Sequence, residues 1–139
     1  MDRAKIARIE ESFAAQSMMT TLGASLAQVE RGAVHIKAPI LQGSLQQQGF
    51  GHAGLTFSIG DSAAGYSALS ILPLENEVVT AETKINLLAP AQGDYLLAKG
   101  RVIKPGRRLV VVSSDVFAVT GDQETLIAVL QGTMVPVTR

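Results

Sequence analysis

Gly54-Leu55-Thr56-Phe57-Ser58-Ile59-Gly60-Asp61-Ser62-Ala63-Ala64-Gly65-Tyr66-Ser67-Ala68-Leu69 is the stretch on which the fold turns. Leu55, Ile59, Ala63, Tyr66 and Leu69 fall on one helical stripe, which predicts a central helix. Gly54, Gly60 and Gly65 argue against that helix on propensity alone, since each costs up to about 1 kcal/mol relative to alanine. A helix here must be rewarded by tertiary packing. The reward fits a thin cylinder whose neighbours come close, as when a sheet wraps around it. Pro73 ends the run.

Outward from this stretch, the remaining segments are of two kinds. Upstream, Asp2 is a plausible N-cap for an amphipathic helix with Ile6, Ile9 and Phe13 on one side and Arg8, Glu10 and Glu11 on the other. That helix is expected to end between residues 20 and 23. Strand-like segments at 26–29 and 34–37 flank Glu30-Arg31-Gly32 and read as a hairpin closed by Pro39. Residues 40–51, with three consecutive glutamines and Gly43, Gly49 and Gly51, have no period and predict a loop. Downstream lie four strand-like segments, 78–88, 95–104, 109–119 and 125–135. Pro90-Ala91-Gln92-Gly93-Asp94, Lys104-Pro105-Gly106-Arg107 and Thr120-Gly121-Asp122-Gln123 are the turns between them, favouring antiparallel pairing, with a meander as the simplest order. The result is an α+β domain in which a long antiparallel sheet buries one helix, preceded by an N-terminal helix.

Composition sets the limits on function. The 139 residues suit one domain, 1–139, and 47% hydrophobic residues with a mean hydropathy of +0.25 exclude wholesale disorder. Cysteine is absent, which removes catalytic thiols, Cys-ligated zinc, iron–sulfur clusters and thiol redox switching. Twelve Lys and Arg balance twelve Asp and Glu, far from the basic excess that draws nucleic acid through counterion release. The charged start Met1-Asp2-Arg3-Ala4-Lys5 lacks the apolar core of a signal peptide, and no apolar run reaches the ~18 residues that span a bilayer. No membrane association and a cytoplasmic location are therefore the expectations. Near-zero net charge with high apolar content leans towards a buried subunit interface.

Few residues can carry chemistry. His35 sits mid-strand beside Ile36 and reads as an ordinary strand residue. His52 stands at the end of the glycine-rich loop, just before the central helix, where the first backbone N–H groups have no intrahelical partner and can face an anion or oxyanion. Gly51, Ala53 and Gly54 would admit a substrate close to that backbone; equally, they suit a tightly packed helix start with no ligand. Asp61 shares a helical angle with Phe57, Ala64 and Ala68, where loss of hydration makes a carboxylate a stronger base unless hydrogen-bond donors hold its charged form. Alternatively the helix starts late, and Asp61 is its N-cap.

Gly51-His52-Ala53-Gly54 with Asp61, then Thr80-Ala81-Glu82-Thr83-Lys84-Ile85-Asn86-Leu87-Leu88-Ala89-Pro90-Ala91, Gly93-Asp94, Gly100-Arg101-Val102, Gly106-Arg107-Arg108 and Gly132-Thr133 together resemble the hotdog-fold acyl-CoA thioesterases of the phenylacetic-acid-degradation type. The resemblance runs over roughly residues 12–137. It implies a hotdog fold, and a homodimer or dimer-of-dimers whose active site is assembled across the dimer interface. It also implies acyl-CoA as substrate, with no metal and no cofactor beyond the coenzyme A of that substrate. By position, Asp61 is the base or nucleophile, the Ala53 N–H the oxyanion donor beside His52 and Gly54, and Thr80 a hydroxyl reaching the partner subunit's carboxylate or the lytic water.

The sequence departs from that pattern at two places. Gln46 stands where the family commonly has an asparagine that positions the thioester carbonyl or water, and Ala53 replaces the first glycine of a His-Gly-Gly motif. These departures leave open a non-catalytic acyl-CoA binding module. Lys104, Arg107 and Arg108 flank a Pro-Gly turn and suit the phosphates of coenzyme A, or simply a solvated turn.

Overall fold

A computed structural model describes residues 1–138. Helix α1 (Arg3–Ala15) starts where the Asp2 side chain accepts the Ala4 N–H, as its sequence suggests. It does not run on to residues 20–23. Gln16 leaves the helical region with ψ 101°, and a short α2 (Ser17–Thr21) follows, with Gly23 at φ 68° making the bend that β1 needs.

Strands β1 (Ser25–Glu30) and β2 (Ala33–Ala38) form the expected hairpin, with Gly32 at φ 75° in its turn. The 40–51 segment holds one 3₁₀ turn, Gln42–Ser44, and then leads into α3 (Ala53–Ser70). Four strands complete the chain: β3 (Asn76–Leu87), β4 (Tyr95–Lys104), β5 (Val110–Thr120) and β6 (Gln123–Thr138). All pairings are antiparallel, in the order β1-β2-β4-β5-β6-β3.

That order corrects the meander. Strands β4, β5 and β6 follow one another, but β3 crosses to the far edge and pairs with β6, while β2 takes the place beside β4. The 88–94 segment is therefore a crossover, not a hairpin turn. It is pinned by the Leu88 N–H bonded to the Ile127 carbonyl and by Gly51 bridged to Ala91. Crossing lets the sheet curl around α3 from both sides, burying more of the helix than a flat meander would.

The predicted stripe Leu55, Ile59, Ala63, Tyr66 and Leu69 is buried, and so are Thr56, Gly60, Ala64 and Ala68 on the other side. Against them lie Ile36, Leu96, Ala98, Val116, Ala128 and Leu130 of the sheet. Each fully buried aliphatic side chain of the larger kind contributes about 1.5–3 kcal/mol, which offsets the low propensity of the helix. The approach is closest at Gly100, where an added Cβ would stand 2.4 Å from the Ala63 backbone. Among the described residues no helix is long and apolar enough to cross a membrane.

Candidate active site

Two cavities flank α3. The first, about 280 Å³, lies at its N-terminus and brings together Gln46, His52 and Ala53 with Gly51, Leu87 and Ile127. His52 is the N-cap: its Nδ1 accepts the Gly54 N–H at 2.7 Å, which leaves the proton of the neutral ring on Nε2. Gly54 is needed there because a Cβ would come to 3.0 Å from that nitrogen. With the Gly54 N–H spent on the cap, the Ala53 N–H has no acceptor among the described residues and stands exposed at the positive end of the helix. The Gln46 carboxamide folds back on its own loop. Its oxygen accepts from the Gln48 and Phe50 N–H groups, and Nε2 donates to Gln48 Oε1, leaving its second proton unspent.

The second cavity, about 250 Å³, opens beside Asp61 and Thr80. Asp61 lies in the third turn of an unbroken helix, so it is not an N-cap. It is half-buried, and two hydroxyls address the same oxygen: Thr80 Oγ1 at 3.0 Å, which thus meets the carboxylate of its own chain rather than a partner's, and Thr83 Oγ1 at 3.3 Å, both to Oδ1. Oδ2 accepts from no described residue. One carboxylate oxygen is thus anchored to the sheet, and the other is left as an acceptor on a residue that lines the cavity. The two threonines reach one carboxylate because a bulge between Thr80 and Glu82 shifts the strand by one residue.

Comparison with known proteins places the chain in a family. The family model of the thioesterase superfamily matches residues 48–125, more than half of the chain. The chain belongs to the thioesterase superfamily. A candidate esterase of Saccharolobus solfataricus is 32% identical over 117 residues, which is 84% of this chain and 76% of that protein. A thioesterase family protein from Silicibacter pomeroyi superposes with a TM-score of 0.94 at 36% identity, covering 97% of this chain and 99% of its own. The E. coli PaaI protein from the phenylacetic acid degradation operon shares the hotdog architecture at TM-score 0.85 and 19% identity, covering 96% and 93% of the two chains. The enzyme is a thioester hydrolase.

Within one chain of this thioesterase the predicted site residues are not all brought together. Ala53 and Asp61 are eight positions apart on α3, about 12 Å along the axis at 1.5 Å per residue, and they line different cavities. Lys104, Arg107 and Arg108 are exposed at the β4–β5 turn. Val102 and Val110, which bracket that turn, pack with Ala68 and Ile71, so it lies towards the C-terminal end of α3. His35 faces outward from β2, where burial and then the Lys99 charge push its pKa below the ordinary value.

Two features of this thioesterase escaped the sequence. Thr83 is one, and the Thr-Ala-Glu-Thr spacing gave no sign of the bulge. The other is a hydrogen-bonded trio at the far end of the Asp61 cavity, in which Tyr66 Oη meets Ser12 Oγ at 3.0 Å and accepts from Gln16 Nε2 at 2.7 Å. The sequence signal for it was present. Ser12 and Gln16 lie one turn apart, on the face of α1 and its C-cap that continues past Phe13.

Proposed function

We propose that this thioesterase hydrolyses acyl-CoA esters to the free acid and coenzyme A at a site completed by a second copy of the chain. The observation that carries this reading is that Ala53, with its spare N–H, and Asp61, with its unbonded oxygen, sit eight residues apart, about 12 Å along the axis of α3, and line different cavities. One thioester carbonyl cannot meet both from a single chain. Two copies related by a two-fold axis, with their α3 helices side by side, bring the Ala53 N–H of one to the Asp61 carboxylate of the other. Strand β3 supports such a dimer, being an edge strand with Val79 and Leu87 exposed, as are Leu88 just beyond it and Phe57 on α3.

In this reading Asp61 Oδ2 removes a proton from water, which attacks the thioester carbon. The oxyanion that forms accepts the Ala53 N–H, strengthened by the helix dipole. Collapse of the tetrahedral intermediate breaks the carbon–sulfur bond and expels the coenzyme A thiolate, which takes up the proton that Asp61 removed from water, and leaves the carboxylic acid. His52 holds the helix start in register, Gly54 lets it do so, and the remaining N–H of Gln46 positions the carbonyl or water. Thr80 and Thr83 keep Asp61 Oδ1 engaged so that Oδ2 points at the reaction. Lys104, Arg107 and Arg108 bind the phosphates of coenzyme A.

Thiol release from aryl, short-chain and medium-chain acyl-CoA esters, measured on wild type and Asp61→Asn, tests the reading. Turnover should fall about 10²–10⁴-fold in the variant. Undiminished turnover removes Asp61 from the chemistry, and wild-type binding without thiol release makes the chain a binding module. Neutralising Arg107 and Arg108 together should raise KM more than it lowers kcat.

A further inference from the structure

The cavity beside Asp61 has two chemically different ends. Leu69, Val78 and Met134 make its walls apolar, and Gly65 keeps it wide, since the nearest atom to a Cβ there would be Met134 Cε at 3.8 Å. Its far end, five residues along α3 and about 7.5 Å up the axis, is polar. There the buried Tyr66 hydroxyl, Ser12 and Gln16 meet.

A proton count shows that this trio is not self-sufficient. The two hydroxyls own one proton each, and their mutual bond uses one. Gln16 Nε2 supplies a bond to Tyr66 Oη and spends neither. One O–H proton is therefore left without an acceptor among the described residues, and Gln16 Oε1 is left without a donor. Ser12 and Gln16 are only partly buried, so a ligand that fills the cavity shields these groups from water, and one that cannot reproduce their bonds leaves them unpaired at a cost in free energy.

Resting on the acyl-CoA reading above, we propose that Tyr66, Ser12 and Gln16 set acyl specificity, selecting an acyl group with an apolar body and a neutral hydroxyl or carbonyl at its far end. An oxygen there accepts the spare O–H, and a hydroxyl in addition donates to Gln16 Oε1. A terminal carboxylate is disfavoured, because the Asp61 carboxylate lines the same cavity and the Arg8 guanidinium that could attract it is already paired with Glu77 at 3.7 Å. The N-terminal helix is thereby part of substrate selection, since Ser12 lies on α1 and Gln16 is its C-cap.

The test compares kcat/KM for hexanoyl-CoA, its ω-hydroxy analogue and its ω-carboxy analogue. Wild type should prefer the ω-hydroxy ester over the plain ester by about tenfold, and turn over the ω-carboxy ester worst. Ser12→Ala combined with Tyr66→Phe removes both hydroxyl protons while keeping the ring that packs on Phe13, and should cut the hydroxy-to-plain ratio about tenfold. If that double variant does not fold, Gln16→Leu serves, which removes the acceptor for a substrate hydroxyl and should lower the same ratio by a smaller factor. Equal wild-type use of the hydroxy and plain esters, or a ratio unmoved by the variants, overturns the specificity assignment and leaves the acyl-CoA reading standing. Release of thiol from none of the three, nor from the aryl and short-chain esters, overturns both.

Discussion

Asp61 is held by one oxygen and free at the other, and that asymmetry comes from a strand irregularity. In a regular strand, residues three apart point to opposite faces, so Thr80 and Thr83 would not share a carboxylate. The bulge between Thr80 and Glu82 restores them to one face. Asp61 and the His52 junction were legible because residue type, helix position and loop boundary marked them, whereas the role of the Ala53 N–H and Thr80 itself came only through the family resemblance. Thr83 was not legible, because a bulge is a backbone event with no residue signature in Thr80-Ala81-Glu82-Thr83. Gly65 offers a prediction at this scale. Gly65→Ala removes a helix-interior glycine, which should raise stability by about 0.5–1 kcal/mol, while its methyl enters the cavity near Met134. Thermal melting should show a higher midpoint, and kcat/KM should fall for bulky acyl groups relative to acetyl-CoA.

Among the elements, α3 shows why a sequence so poor in helix formers is still a helix. Two glycines, one on the sheet and one on the helix, are contact points. Gly100 of β4 lets the strand rest on the Ala63 backbone, and at Gly60 a Cβ would come to 2.9 Å from the Leu130 methyls. The helix was readable from its stripe, and the enclosing sheet from the small residues along it. Strand order was not readable, because Pro90 and Gly93 mark a reversal without saying whether the next strand lands beside the last or across the sheet. Only the burial gained by wrapping both sides of α3 decides that. The two close approaches also differ in consequence. Leu130 has flexible methyls that can move aside, whereas Ala63 presents backbone to Gly100 and cannot give way without separating strand from helix. Gly100→Ala should therefore cost about 2–3 kcal/mol by urea denaturation, and clearly more than Gly60→Ala. Equal costs at the two positions would mean that the helix is free to shift as a unit.

At the scale of the whole molecule, a site divided between subunits predicts a result that a site within one chain cannot give. Ala53→Pro removes the N–H assigned to the oxyanion while keeping the helix start. Proline is favoured at the first helical position, and His52 already has the extended backbone, φ −65° and ψ 146°, that a following proline requires. Alone, this variant should lose about 10²–10³-fold in kcat with little change in melting temperature. Asp61→Asn should be equally inactive. When the two inactive variants are unfolded together and refolded at equal concentration, random pairing makes about half of the dimers mixed. A mixed dimer has one site with both lesions and one site with neither, so activity should return to about a quarter of wild type. If Asp61 and Ala53 of the same chain served one carbonyl, every site in every dimer would carry a lesion, and mixing would restore nothing. Recovery that rises with the fraction of mixed dimer, followed by thiol release across a series of mixing ratios, therefore reads out the division of the site directly, without reference to the acyl group employed.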